Sequence, residues 1–259
     1  MKKMENIPLS RSSSVFLSVV IPAYNEEYNL RTGVLQSVYG YLRKQNYSWE
    51  VIVVDDGSTD KTAEIVEKYI QGKKNITLLK MPHRGKGSTV ISGMLEARGE
   101  TILFSDIDQA TPIDQIEKLL PEFEKGFDVV IGARKGREGA PLIRKIMAYG
   151  FSILRYLLLK LPFKDTQCGF KAFKKGAAKK IFGKLKVFSQ NSKTKGASVS
   201  AGFDLEILYV ARKLGLKVAD VDVDWHHKEG TKVNPIKDSW EGLRDLLKVR
   251  LNAIKGVYK

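Results

Sequence analysis

A single cysteine, Cys168, stands in the 259 residues. It excludes an intramolecular disulfide and suits a reducing compartment. Histidine is almost as scarce, with three in all; two of them, His226 and His227, are adjacent and would face opposite ways on a strand, a poor arrangement for a shared metal. No apolar run approaches the ~20 residues needed to cross a bilayer. The first 14 residues, MKKMENIPLSRSSS, lack the apolar stretch of a signal peptide and read as a flexible tail. Acidic residues are nearly missing from one window: between Arg134 and Lys195 two acids face 17 lysines and arginines. That window equals the whole formal net charge of +15, and the rest of the chain sums to zero. A block this basic suggests a polyanionic partner such as phosphate, anionic lipid or nucleic acid, although a solvated lysine surface accounts for part of it.

What is present is an alternation. Short β-rich apolar runs at 16–21, 51–54, 76–79, 101–104 and 127–131 are separated by helical patterns near 26–44, 60–71, 88–98 and 113–125. This rhythm predicts an α/β fold with a mostly parallel sheet flanked by helices. Ligands in such sheets collect at the carboxyl ends of the strands, where PAYNEE, DDGSTD and SDIDQATP fall. Beyond residue 134 the pattern predicts helices near 141–161, 175–186, 203–215 and 238–255, and a strand at 217–223; DTQCGFKAF reads as a short strand or turn. The helix over 141–161 is amphipathic, with Arg144, Lys145, Ser152, Arg155 and Lys160 on one side and leucines on the other. Either a membrane-surface helix or a core helix fits it.

Asp106 and Asp108 in FSDIDQATP lie two residues apart, so on extended chain they face the same way and suit a hard cation, Mg2+ or Mn2+. The competing role, capping the next helix, is assigned to Thr111 before Pro112. In VVDDGSTDKT, Asp55 and Asp56 end a strand and Gly57 turns the chain; carboxylates there can accept hydrogen bonds from a base or ribose, while Asp60 or Ser58 suits a helix cap. In IPAYNEE, Pro22 fixes a turn, Tyr24 offers a stacking face, and Glu26 and Glu27 equally suit a first helical turn. HRGKGSTVISG fits neither the Walker pattern nor G-x-G-x-x-G, yet Lys86 and the amides around Gly87 could approach a pyrophosphate at a helix start.

Taken together, VVIPAYNEEYNL, VIVVDDGSTDKT, HRGKGSTVISGMLEARGE and SDIDQATP resemble the inverting GT-A glycosyltransferases of family 2. The downstream IGARKGREG, DTQCGFKAF, GFDLEILYVARKLG and VDWHHKEGTKVNP are similar to the polyprenyl-phosphate glucose and mannose synthases within it, with the GKG stretch and residues 225–232 closer to the glucose branch. The resemblance implies a GT-A catalytic domain over 15–235, with a nucleotide-binding half (15–133), an acceptor half (134–235), and an amphipathic C-terminal helix over 236–259. It implies UDP-glucose as donor and dolichyl or another polyprenyl phosphate as acceptor, with GDP-mannose as the alternative donor. It places Pro22, Tyr24, Asn25, Glu26, Asp55, Asp56, Gly57, Lys86, Gly87, Asp106 and Lys232 on the donor, and Asp106 and Asp108 on the metal. Arg134, Arg137, Arg144 and Lys145 would clamp the acceptor phosphate, since guanidinium forks match phosphate oxygens. Asp204 matches the base of sugar-acceptor relatives; against a phosphate acceptor it would orient a basic residue instead.

The reading thus expects an enzyme peripheral to the cytoplasmic face of a membrane or cytoplasmic, helped by self-association or a membrane subunit. Two other classes stay open. A sugar-1-phosphate nucleotidyltransferase would need a G-x-G-[ST]-R loop after the first strand, which is absent. A nucleic-acid-binding protein would explain the basic block, but no aromatic-interleaved RNA motif appears, so nucleic acid is not expected as a partner.

Overall fold

The computed structural model describes residues 15–134, 142–186, 201–226 and 235–258; for 142–148, 201 and 235–239 the description is of the backbone alone. In chain order the elements are β1 (Leu17–Ala23), α1 (Glu27–Arg31), α2 (Val34–Leu42), β2 (Trp49–Asp55), α3 (Thr62–Ile70), β3 (Ile76–Lys80), α4 (Lys86–Glu96) and β4 (Thr101–Ser105). There follow a 3-10 turn (Ile113–Gln115), α5 (Ile116–Glu124), β5 (Val129–Arg134), α6 (Leu142–Leu159), β6 (Phe170–Lys174), α7 (Lys175–Phe182), α8 (Ala201–Lys213), β7 (Val218–Val223) and α9 (Pro235–Ile254). Residues 1–14 lie outside the described residues.

The strands form one seven-stranded sheet in the order β3-β2-β1-β4-β6-β5-β7. All neighbours are parallel except β6, which runs antiparallel to both β4 and β5. Alternation along β1 divides the core between the two faces: Leu17, Val19 and Ile21 join Val51, Val53 and Leu103 on one side, while Val20 packs with Ile52, Val54 and Phe104 on the other. A strand covered on both faces must be apolar at nearly every position, which is why these runs are readable in the sequence.

Two expectations are revised. The helix expected over 26–44 is two helices, because the chain turns left-handed at Gly33 (φ 88°). Helix α6 departs from a simple amphipathic reading: Leu154 and Leu158 pack on the core as that reading requires, but Arg155 and Leu157 exchange sides. Arg155 points inward, 5% exposed, and donates to the hydroxyls of Ser152 and Thr166 and to the Phe163 carbonyl. The outward face carries Tyr149, Ile153, Tyr156 and Leu157. Helix α9 packs against α6 and α8 and also leaves apolar groups outside, namely Trp240, Leu247, Leu251 and Ile254. Its end is pinned by Tyr258, whose hydroxyl donates to Glu206 Oε1 of α8 at 2.8 Å. Among the described residues no helix is long and apolar enough to cross a membrane.

The strand order places the switch point between β1 and β4. These two pair only from Leu17↔Thr101 to Val20↔Phe104, whereas β1 stays paired with β2 through Ala23↔Asp55. Pro22, buried and without an N–H, falls where β1 and β4 part. Such a parting of strands is where an open α/β sheet takes its ligand.

Candidate active site

Three loops meet at this end of the sheet, tied by hydrogen bonds that span more than thirty residues. Asn25 adopts a left-handed conformation (φ 55°). Its amide N–H donates to Ser58 Oγ at 2.9 Å and its Oδ1 accepts the Thr59 N–H at 2.8 Å. The Glu26 N–H donates to Thr62 Oγ1 and the Glu27 N–H to Asp60 Oδ2, while Asp60 Oδ1 caps the start of α3 through the Thr62 N–H. Gly57 (φ 69°) is required by contact as well as conformation, since a β-carbon would stand 2.8 Å from the His83 nitrogen.

Asp55 and Asp56 have different tasks. The buried Asp56 carboxylate accepts from His83 Nδ1 (2.9 Å), the Arg84 N–H (2.8 Å) and the Gly85 N–H (2.8 Å), so it shapes the loop leading into α4. Asp55 Oδ2 accepts the Ser58 N–H at 3.3 Å, but its buried Oδ1 has no hydrogen-bond partner among the described residues. An orphaned buried carboxylate oxygen invites a donor from a ligand. Tyr24, expected to stack on a base, stacks on the His83 ring with centroids 4.2 Å apart.

Asp106 and Asp108 sit just past β4, on a turn closed by the Gln109 N–H on the Asp106 carbonyl, rather than on extended chain. The Thr111 cap is not made: the 3-10 turn begins with Pro112 in an extended conformation, and the Thr111 hydroxyl faces Cys168 Sγ at 3.7 Å. Asp108 Oδ1 instead accepts the Ala110 N–H at 2.9 Å. Capping therefore no longer argues for a metal; the surroundings do. Asp106 Oδ1 holds Lys86 Nζ at 2.7 Å, with both side chains about one-third exposed (33% and 30%). Burial opposes the Lys86 charge, but Asp106, Asp204 and Asp108 outweigh it and hold its pKa above the ordinary lysine range. Burial raises the Glu26 pKa, and the fields of Asp108 and Asp106 add to the rise.

Two residues of the DTQCGFKAF stretch lie beneath this cluster and were not singled out from the sequence. Gly169 lies so close to Asp106 that a β-carbon would come 1.8 Å from Oδ2, and its carbonyl accepts the Asp106 N–H at 3.1 Å. Lys171, fully buried on β6, donates to the Cys168 carbonyl and to Asp204 Oδ1 at 2.7 Å. Burial pushes the Asp204 pKa up, and Lys171 pulls it back. Lys171 stands between Phe170 and Ala172 in a buried strand; a lysine in such a place is the one available signal.

On the acceptor side, Arg134 ends β5 with its fork on Asp165, Nε–Oδ2 2.5 Å and Nη2–Oδ1 3.0 Å. Its guanidinium carbon is 5.7 Å from the Trp225 ring centroid. The guanidinium expected to clamp phosphate is thus already paired with a carboxylate. The His226 N–H donates to the Ala110 carbonyl, drawing the chain after β7 to the Asp108 turn. Lys232 and Arg137 lie outside the described residues, as do the side chains of Arg144 and Lys145. Gly87 occupies the first turn of α4.

Two aspartates with hard oxygen donors fit a divalent cation that takes its remaining ligands from a diphosphate and water. Among the described residues no set of three His, Cys, Asp or Glu side chains is placed to hold one alone. The mixed sheet with two carboxylates at its switch point has the α/β architecture of the GT-A glycosyltransferases, and the chain belongs to glycosyl transferase family 2, which it matches over residues 18–182. It is 35% identical to a dolichyl-phosphate beta-glucosyltransferase of Dictyostelium discoideum, over 95% of this chain and 77% of that protein. To the Homo sapiens dolichyl-phosphate beta-glucosyltransferase it is 34% identical, over 94% and 77%. Among solved structures, the fold is shared with glucosyl-3-phosphoglycerate synthase from Mycobacterium tuberculosis in complex with Mn2+, uridine-diphosphate and glucosyl-3-phosphoglycerate (TM-score 0.60, 19% identity, covering 91% of this chain and 80% of that one). The protein is a glycosyltransferase.

Proposed function

We propose that the chain transfers glucose from UDP-glucose to dolichyl or another polyprenyl phosphate, with inversion at the anomeric carbon. The observation that carries this reading is the Asp106–Asp108 pair at the parting of β1 and β4, with the Lys86 ammonium on Asp106. The names of the relatives support the sugar and the acceptor. Residues 15–133 form the donor half and 134–235 the acceptor half.

In this reading Asp55 Oδ1 accepts an N–H of the base, and Asp56, Asn25 and Gly57 hold the loops that frame it. Asp106 and Asp108 hold Mg2+ or Mn2+, which supplies charge stabilisation to the departing diphosphate. Lys86 reaches the same diphosphate, with Gly87 at the helix start beside it, and Lys232 serves it from the segment after β7. The acceptor phosphate, with a second pKa of about 6, is largely dianionic at neutral pH. Its oxygen forms the new bond to the anomeric carbon as the old carbon–oxygen bond breaks, the electron pair leaving with UDP. No proton has to be removed, so Asp204 works by positioning Lys171 and Lys86 rather than as a base. Arg134, held square by Asp165, with Arg137, Arg144 and Lys145, supplies the positive charge the phosphate requires.

The lipid tail is served by α6 and α9. Their outward apolar residues, edged on α9 by the exposed Arg244, Lys248 and Lys255, suit a helix lying in an anionic headgroup layer. The test is a panel: UDP-glucose, UDP-N-acetylglucosamine and GDP-mannose, each with and without a short polyprenyl phosphate and Mn2+. UDP release that needs UDP-glucose and lipid phosphate together is the expected result. Equal or faster turnover of GDP-mannose overturns the donor assignment.

A further inference from the structure

We propose that Lys86 is a resident cation of the metal site, occupying Asp106 until a nucleoside diphosphate draws it away, so that divalent metal and nucleotide bind as a coupled pair. The inference rests on the metal reading above and concerns the order in which the site fills.

Each oxygen of Asp106 has a near neighbour. Oδ2 lies against Gly169, where even a β-carbon would find no room, and Oδ1 carries the Lys86 ammonium at 2.7 Å. A cation approaching Asp106 through Oδ1 meets Lys86 first. The pair is not sealed in: both side chains keep about one-third of their surface exposed, and Lys86 occupies the first residue of α4 after Gly85 (φ 90°), at the end of a long flexible stem. Lys171, by contrast, is fully buried and bonded to Asp204 and the Cys168 carbonyl, so it is fixed in place.

The charge balance supports the exchange. Glu26, Asp106, Asp108 and Asp204 all act on the Lys86 neighbourhood. A divalent ion added to Asp106 and Asp108 would repel the ammonium it displaces. A diphosphate brings anionic oxygens that accept Lys86 and complete the metal's coordination in one step. Linkage then requires that nucleotide raise metal affinity and that metal raise nucleotide affinity by the same factor.

The experiment is titration of Mn2+ followed by the paramagnetic resonance of the free ion, with and without UDP. It uses the wild type, Lys86→Met, Lys86→Gln, Lys86→Arg and the double variant Lys86→Met/Asp108→Asn, each checked for folding by circular dichroism. Without UDP, Lys86→Met and Lys86→Gln are expected to bind Mn2+ about tenfold more tightly than wild type, and UDP is expected to add correspondingly less. Lys86→Arg should retain the wild-type pattern, and the double variant should lose the gain. If the uncharged variants bind Mn2+ no better than wild type without UDP, while the wild type binds it with UDP, the exchange is overturned and the metal reading survives. If none of the proteins binds Mn2+ even with UDP, both fall.

Discussion

Gly169 and Asp106 compete for the same volume: the space a β-carbon would fill on one is taken by Oδ2 of the other, at 1.8 Å. Backbone hydrogen bonding fixes the match, because the Gly169 carbonyl accepts the Asp106 N–H where β4 meets β6. The glycine is thus a mould for a carboxylate 63 residues earlier in the chain.

Gly169→Ala should therefore move the Asp106 carboxylate while leaving the sheet intact. Misplacing a catalytic group by about 1 Å costs about a hundredfold in rate, and that fall in kcat is the expected outcome. Circular dichroism should be unchanged. Wild-type kcat in the variant would show that the carboxylate position is not critical.

Asp165 carries a pH signature. Burial works against its charge, but the Arg134 fork outweighs burial and holds its pKa below the ordinary value of 3.8. A depressed folded-state pKa stabilises the fold above the unfolded-state value and loses that contribution as pH falls through the folded value. Asp165→Asn should cost roughly 3–5 kcal/mol near neutrality by leaving the Arg134 guanidinium without its carboxylate. The gap between wild type and variant should close as the pH falls below the ordinary aspartate value of 3.8 and through the depressed folded-state value. Thermal melts across pH 2–8 measure it; a constant gap would contradict the assignment.

Asp55→Ala removes the orphaned buried oxygen at the end of β2. UDP affinity, read by calorimetry, should fall about tenfold through loss of a charge-assisted hydrogen bond, with little change in melting temperature. An unchanged affinity would place the base elsewhere.

The apolar residues of α9 should matter only in the presence of lipid. Leu247→Ser with Leu251→Ser and Ile254→Ser, all exposed, should abolish co-sedimentation with anionic vesicles at low salt, while turnover of a short water-soluble polyprenyl phosphate persists. Wild-type protein that ignores such vesicles would contradict membrane docking.

The sequence made the strands legible because burial on both sheet faces forces apolar residues at almost every position of β1, β2 and β4. It made the loops legible because carboxylates, glycine and proline mark strand ends. It did not tell which side of α6 faces inward: periodicity separates two sides, but the neighbour that pairs with Arg155, the 163–166 segment, is a tertiary fact. Nor did it separate Asp55 from Asp56, since adjacent identical residues differ only in what the 83–85 loop offers Asp56. Thr111 looked like a helix cap and serves instead as a buried partner of Cys168. Gly169 and Lys171 escaped notice because their roles exist only through Asp106 and Asp204, each brought close by the antiparallel insertion of β6.

The most direct measurement is the anomalous diffraction of manganese in crystals soaked with Mn2+ and UDP. A peak within coordination distance of carboxylate oxygens of both Asp106 and Asp108, and of the UDP diphosphate, is the predicted result. Bound UDP with no peak at that turn, or a manganese ion held by other residues, would contradict the account.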